Sequence, residues 1–215
     1  MNILLLITKA DVGGAQRFVT DVATELRERG HNVVVGYGEQ GPMIQELMNR
    51  GISIWRFPHI RHSLNPFSAW QALQELREYL REYPTDVVHC NSSHAALSVF
   101  ALKRLSSRPK SIITVHGLSF IAPEHRSYLK PVFSILYRFI FKQYDEVVYL
   151  SQHDYDHARI IGLKDGRIIA LGMAPFSLMK RDEARAILIK KNHRIRADAF
   201  LIGSIGRLAY PKNMG

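Results

Sequence analysis

The stretch Asn2-Ile3-Leu4-Leu5-Leu6-Ile7-Thr8-Lys9-Ala10-Asp11-Val12-Gly13-Gly14-Ala15-Gln16-Arg17 decides the fold. Its apolar run, Ile3 to Ile7, breaks into a polar loop that ends in two glycines, and a helical pattern follows from Ala15 to Arg29. This reads as a buried strand, a glycine turn and a helix. The alternation then repeats. Strands are expected at Asn32 to Tyr37, Ser53 to Phe57, Asp86 to Cys90, Ser111 to Val115, Glu146 to Leu150 and Arg167 to Ala170, after a first at Asn2 to Thr8. Between them helices are expected at Met43 to Asn49, Pro66 to Glu82, Ser93 to Leu105, Arg126 to Tyr144 and Gln152 to Arg159. Val/Ile-rich runs separated by helices predict a parallel sheet covered on both faces, the α/β Rossmann-like class.

The organisation expected is a domain over 1–172, a linker and helix over 173–199 with the helix at Lys180 to Arg196, and the start of a second domain over 200–215. Phe200 to Gly206 reads as a strand opening that second domain, so the chain reads as truncated within it. Net charge is +10, a bias that suits anionic membranes, nucleic acid or phosphorylated substrates without choosing among them. No nucleic-acid-binding motif is recognisable, so nucleic acid is not expected as a partner. The single cysteine, Cys90, rules out an intramolecular disulfide and sits among apolar neighbours, so it reads as a buried structural thiol. The expected location is the cytoplasm, since no apolar run reaches the length of about 20 residues that spans a bilayer.

In an open parallel sheet, ligands bind beyond the carboxyl ends of the strands. Those positions hold Asp11 to Gly14, His89 to Ser93, His116-Gly117 and Ser151. Gly13-Gly14 at a helix start offers free N–H groups and the positive end of a helix dipole, which together attract phosphate. The plainer reading is a tight turn needing positive φ. A nicotinamide cofactor also competes for this loop, but the Gly-x-Gly-x-x-Gly pattern is absent and Glu39 is a loose match for its acidic partner. Ser151 with Asp154 three residues later reads as a helix cap rather than a nucleophile. His153 and His157 share a helical face, yet no third ligand is evident, so no metal is expected.

The segments Asp11 to Arg17, Leu26 to Val33, Asp86 to His89, Thr114 to Gly117 and Gly203 to Leu208 occur in an order that resembles family 4 glycosyltransferases. These are retaining enzymes with two Rossmann-like domains, the GT-B fold. The resemblance implies an acceptor-side N-terminal domain, a linker, and the first strand and loop of a donor-side domain. It implies a nucleotide diphosphate sugar as co-substrate, no cofactor, and a glycan or lipid-linked acceptor of the kind used in cell-surface polysaccharide or glycolipid synthesis. It assigns Arg207 and Lys212 to the donor diphosphate, where two cations offset charge building on the leaving group. Gly13 and Gly14 are assigned to the same diphosphate or to the acceptor. His116 corresponds to the family histidine beside the donor sugar, able to position the reacting carbon. Arg17, Asn91, Ser92, Ser93 and Gly117 are expected to line the cleft. Gly172-Met173 departs from the family's Asn-Gly after the linker strand, and the family's acidic donor motif lies beyond Gly215. The alternative is a non-catalytic truncated module that binds acceptor or membrane only.

Arg126 to Lys142 is the candidate membrane element. Arg126, Lys130, Arg138 and Lys142 recur at multiples of four among Tyr128, Leu129, Phe133, Leu136, Tyr137, Phe139, Ile140 and Phe141, with no acid before Asp145. Such a helix suits an anionic leaflet at the inner face of the cell membrane, or equally a core helix with basic residues at its edges. His59, Arg61 and His62 lie in a polar loop within reach of an acceptor, or simply of water.

Overall fold

The computed structural model describes residues 1–61, 65–103, 105, 107–117, 130–172 and 177–203. Its element order is β1 (Asn2–Lys9), α1 (Gly14–Glu28), β2 (Asn32–Glu39), α2 (Met43–Asn49), β3 (Ser53–Arg56), α3 (Pro66–Glu82) and β4 (Val87–Cys90). A 3-10 turn (Ala95–Ser98) and α4 (Val99–Leu102) lead to β5 (Lys110–Val115), α5 (Lys130–Phe141), β6 (Glu146–Tyr149), α6 (Gln152–Ile160), β7 (Arg167–Ile168) and α7 (Arg181–Lys191). The strands form one sheet in the order β3-β2-β1-β4-β5-β6-β7, and every pairing is parallel.

Alternation along β1 gives the sheet its two cores. Ile3, Leu5 and Ile7 face α1 and α2, packing with Val19, Ala23, Met43 and Leu47. Leu4 and Leu6 face the other way, into a larger cluster with Leu76 and Tyr79 of α3, Ala95, Ala96 and Val99, Ile140 and Phe141 of α5, and Ala158 of α6. Both faces of the central strands are therefore buried, which is why β1 reads as an unbroken apolar run. At the C-terminal rim the chain packs backbone on backbone. A Cβ at Gly38 would stand 1.6 Å from the Ile60 carbonyl oxygen, and one at Gly41 would stand 2.2 Å from that of Ala10, so only glycine fits where these loops converge.

Three expected helices differ in extent. Ser93 to Leu105 resolves into the 3-10 turn and the single turn α4. The Ser92 side chain accepts from Ala95 N–H, and the Ala96 carbonyl accepts the buried Tyr144 hydroxyl at 2.7 Å, so local capping and a side-chain contact compete with the regular ladder. In the segment Arg126 to Tyr144, α5 ends at Phe141, and Tyr144 instead fills the core at 2 % exposure. Positions 126–129 of that segment lie outside the described residues. The helix expected up to Arg196 stops at Lys191 with Asn192 extended. Ser151 does cap α6, accepting from Asp154 N–H at 3.1 Å.

Residues 1–171 form one compact unit and 172–215 a second. Within the second, α7 places Asp182 and Glu183 in its first turn and Lys190 and Lys191 in its last, matching the helix dipole. Arg185 ties it to the following segment through the carbonyls of Arg196, Ala197 and Ala199. The strand expected from Phe200 does not form over Phe200 to Gly203, where Phe200 and Ile202 are 89 % and 90 % exposed. An extended segment without a neighbour to complete its ladder has no reason to become a strand. Residues 204–206 of that expectation lie outside the described residues.

Candidate functional site

β1 and β4 are neighbours although five elements separate them in sequence, so the order of the chain through the sheet reverses between them. At such a reversal the loops leaving the two strands diverge and open a crevice. Here the crevice is stitched at its base. The Thr8 hydroxyl lies 2.6 Å from the Ser92 hydroxyl, Thr8 N–H donates to the same oxygen at 3.2 Å, and Asn91 N–H donates to the Leu6 carbonyl at 2.8 Å.

His116 enters from β5, one residue beyond the strand. Its Nε2 faces Asn91 Oδ1 at 3.5 Å, a long contact. Asn91 is 1 % exposed and its amide nitrogen donates to the His89 carbonyl at 3.0 Å, which leaves its oxygen for His116. His89 in turn meets the Thr114 hydroxyl at 2.7 Å. Phe18 of α1 packs edge-on against both rings, with centroids 5.0 Å from His116 and 6.2 Å from His89. Desolvation pushes both imidazoles down to about 4, with the neighbouring His116 charge adding to the effect at His89. Both rings are therefore neutral near pH 7, and a neutral ring offers one N–H and one lone pair. Gly117 follows at φ 95°, a conformation suited to glycine.

The glycine loop sits above β1. Gly13 precedes α1 in a fully extended conformation, φ 174° and ψ 174°, and Gly14 opens the helix without positive φ. The tight-turn reading is thus not the reason for these glycines. α1 begins with no side-chain cap and no acid in its first turn, so its terminal N–H groups and dipole are offered without an internal anion. A Cβ on Gly14 would meet nothing within 4 Å, leaving open space at that terminus. The loop is held by Gln16, which donates to the Lys9 carbonyl at 2.9 Å, and by Lys9 paired with Glu39 at 3.0 Å. Glu39, the loose match for a ribose-binding acid, is engaged in that ion pair.

A second feature opens beside the β3–α3 loop. A shallow recess, whose interior of about 20 Å³ holds no more than about one water, is lined by His59, Arg61, Ser68, Leu73, His94 and Leu97. Glu75 clamps the loop, accepting from His59 N–H at 3.2 Å and meeting its Nδ1 at 2.6 Å. Arg61 Nε donates to the buried Ser68 hydroxyl at 3.3 Å. His62, grouped with these residues in the sequence, lies outside the described residues.

The structure gathers His116, Asn91 and Ser92 and sets Gly13-Gly14 on the helix that carries Phe18. Ser93 is partly buried and hydrogen-bonds Tyr137 of α5. It does not bring Arg17 to the histidines. Arg17 pairs with Asp21 at 2.8 Å and reaches Glu46 of α2 at 3.9 Å, with its side chain 61 % exposed. Arg207 and Lys212 lie outside the described residues. His153 and His157 pack ring against ring at 5.3 Å, and among the described residues no group of three or more His, Cys, Asp or Glu is placed to hold a metal. Cys90 is fully buried and its thiol is pushed up to about 12, as an inert core residue requires. Phe18 and Thr8 carry no assignment in the sequence reading, which names His89 only as a strand-end position and Thr114 only within the segment that ends at Gly117. Phe18 was accessible from the apolar stripe of α1, as one of the residues packed against the core on that side.

The sequence matches the profile of Glycosyltransferase Family 4 over residues 12–171. It is 27 % identical over 172 residues to the O-antigen biosynthesis glycosyltransferase WbnH of Escherichia coli, covering 79 % of this chain and 48 % of that protein. The probable O-antigen biosynthesis glycosyltransferase WbiN of Escherichia coli gives the same figures. The chain thus spans about half the length of the curated relatives it matches. Among solved structures, Anabaena HepE in complex with UDP and glucose superposes with a TM-score of 0.62 at 19 % identity, over 89 % of this chain and 50 % of that one. The sucrose-phosphate synthase of Thermosynechococcus elongatus gives 0.64 at 18 % identity, over 92 % and 53 %. These structures establish a shared Rossmann-like fold of the GT-B type. With the profile matching from the glycine loop through β7, the chain belongs to glycosyltransferase family 4.

Proposed function

We propose that this chain is the acceptor-side part of a retaining glycosyltransferase that moves a sugar from a nucleotide diphosphate sugar to a glycan or lipid-linked acceptor in polysaccharide synthesis. The observation that carries the reading is the neutral His116 at the strand reversal, with α1 beginning on an uncapped glycine pair and sending Phe18 against that histidine. A neutral imidazole hydrogen-bonds a sugar hydroxyl without adding charge beside the anomeric carbon, and so acts by positioning. Asn91 holds that ring, and Ser92 fixes the loop behind it. The N–H groups at Gly13 and Gly14 face developing negative charge on the acceptor or the leaving diphosphate.

Arg207 and Lys212 are proposed to supply the balancing cations on the donor side, in place of a metal ion. The β3–α3 loop residues His59 and Arg61, at the mouth of the shallow recess, are the proposed contacts for hydroxyls of an acceptor sugar. HepE in complex with UDP-glucose supports a uridine nucleotide sugar as the donor class. The relatives' role in O-antigen synthesis supports a polysaccharide product.

Calorimetry with UDP and GDP tests the donor assignment, using this chain alone and joined to a family 4 donor domain, with Arg207→Ala and Lys212→Ala in each. Nucleotide binding by the joined protein that both substitutions abolish is the expected result. Binding unaffected by either substitution, or no binding at all, overturns the assignment of the two cations.

A further inference from the structure

Both ends of the Asn91 amide are assigned by neighbours of fixed polarity. The residue is buried and anchored through its main chain, whose N–H donates to the Leu6 carbonyl at 2.8 Å, and the next residue, Ser92, is tied to Thr8 through the two hydroxyls. On one side the amide meets the His89 carbonyl at 3.0 Å. A carbonyl oxygen only accepts, so the atom facing it is the Asn91 nitrogen. The atom left facing His116 is then the Asn91 oxygen, 3.5 Å from Nε2. Turning the amide over would set two oxygens against each other at His89, inside a part of the fold that offers no water to separate them.

That oxygen is itself an acceptor, and among the described residues His116 Nε2 is its one hydrogen-bonding neighbour. A neutral imidazole carries its proton on one of two nitrogens. With the proton on Nε2, an N–H points at the Asn91 oxygen. With the proton on Nδ1, two lone pairs face each other and a buried oxygen loses its donor, the arrangement that desolvated polar groups avoid. Phe18 packs edge-on against the ring at 67° between planes and limits its freedom to turn away from Asn91. Nδ1 therefore holds the lone pair. Among the described residues nothing hydrogen-bonds to Nδ1, and His116 keeps part of its surface exposed.

We infer that Asn91 is a positioning residue that fixes the His116 proton on Nε2, so that Nδ1 accepts and the site selects a sugar hydroxyl, which donates, over a carboxylate or carbonyl oxygen, which does not. The inference rests on the reading of His116 as the residue beside the donor sugar and adds to it the direction of the hydrogen bond. A carboxylate placed against Nδ1 meets a lone pair with negative charge, and a deoxy position leaves the lone pair without a donor. A neutral, hydroxyl-bearing sugar is thus the class of donor that this ring accepts.

The test begins with long-range proton–nitrogen NMR of the imidazoles in the 215-residue chain at pH 7, with His116→Gln identifying the His116 signals among ten histidines. A protonated Nε2 and a lone pair on Nδ1 are expected. Asn91→Asp places a carboxylate beside the ring and should raise the His116 titration midpoint by about one unit or more, with His89 followed as the neighbouring ring. A proton on Nδ1 in the parent overturns the proposal, as does a midpoint that Asn91→Asp leaves unmoved. These readings need no sugar transfer. The selection of a hydroxyl is read from turnover by the chain joined to a family 4 donor domain, with deoxyfluoro analogues of UDP-glucose, because fluorine does not donate. A loss in kcat/KM of about tenfold or more at one position, shrinking to about twofold or less in His116→Ala, is expected. Losses that are the same with and without His116 overturn the selection. An absence of any transfer overturns the proposed function instead, and the NMR still decides the role of Asn91.

Discussion

Lowering the pH from 7 to 5 should destabilise this protein through two particular rings. His89 and His116 are held near pKa 4 in the folded chain, against about 6.5 in the unfolded chain. A base whose folded pKa is depressed leaves the unfolded state binding more protons between the two values, so stability is full above about pH 6.5 and falls as the pH drops toward 4. At pH 5 the linkage amounts to about 2 kcal/mol for each ring, or about 4 kcal/mol for the pair. Against a typical total of about 5–15 kcal/mol this is a large fraction. With a urea slope of about 2 kcal/mol/M, the unfolding midpoint should fall by about 2 M between pH 7 and pH 5. Asp145 does not confuse the window. Burial raises its pKa, but bonds from Ser111 and the charges of Arg108 and Lys110 outweigh that and hold it below the usual carboxylate value, so its contribution is lost only at lower pH. The assay is urea unfolding at both pH values for the parent and for His89→Gln/His116→Gln. A midpoint in the double variant as pH-sensitive as in the parent would refute the reasoning, whatever its absolute stability.

Three further substitutions separate packing from ligand binding. Gly38→Ala drives a methyl into the Ile60 carbonyl and should cost about 1–3 kcal/mol or prevent folding, read by thermal unfolding. Gly14→Ala meets open space in a helical conformation and should be neutral or stabilising by up to about 1 kcal/mol, while weakening any phosphate bound at the α1 terminus, read by unfolding and nucleotide calorimetry together. Tyr144→Phe removes the hydroxyl bonded to the Ala96 carbonyl and should cost about 1 kcal/mol in urea unfolding.

The sheet was legible because each strand is a Val/Ile-rich run ended by turn residues, and α2 and α3 because Pro42 and Asn65-Pro66 mark their starts. The segment after β4 misled because Ala95 and Ala96 have good helical propensity, while its shape is set by Ser92 and by Tyr144, 48 residues away from Ala96. His116 and Asn91 could be nominated as strand-end residues, since strand ends are local. That Thr8 meets Ser92, and that Phe18 closes on two histidines, depends on β1 and β4 being neighbours, which periodicity does not encode. Arg17 shows the converse: its position one turn into α1 suggested the cleft, but Asp21 and Glu46 draw its side chain elsewhere. For α5 the sequence leaves an exposed face and a wrapped core helix equally open, because a helix rich in apolar residues looks the same in either setting; the exposure of Ile135 and Phe139 decides for the former.

The central claim is that His116 positions a nucleotide sugar for transfer with retained configuration. It is tested most directly by proton NMR of the product formed from a UDP-sugar and a sugar acceptor by the chain joined to a family 4 donor domain, with and without His116→Ala. The account predicts a product of the donor's own anomeric configuration and a turnover reduced by about 100-fold or more in the variant, with UDP affinity little changed. An inverted product, or a His116→Ala protein that turns over like its parent, would contradict it.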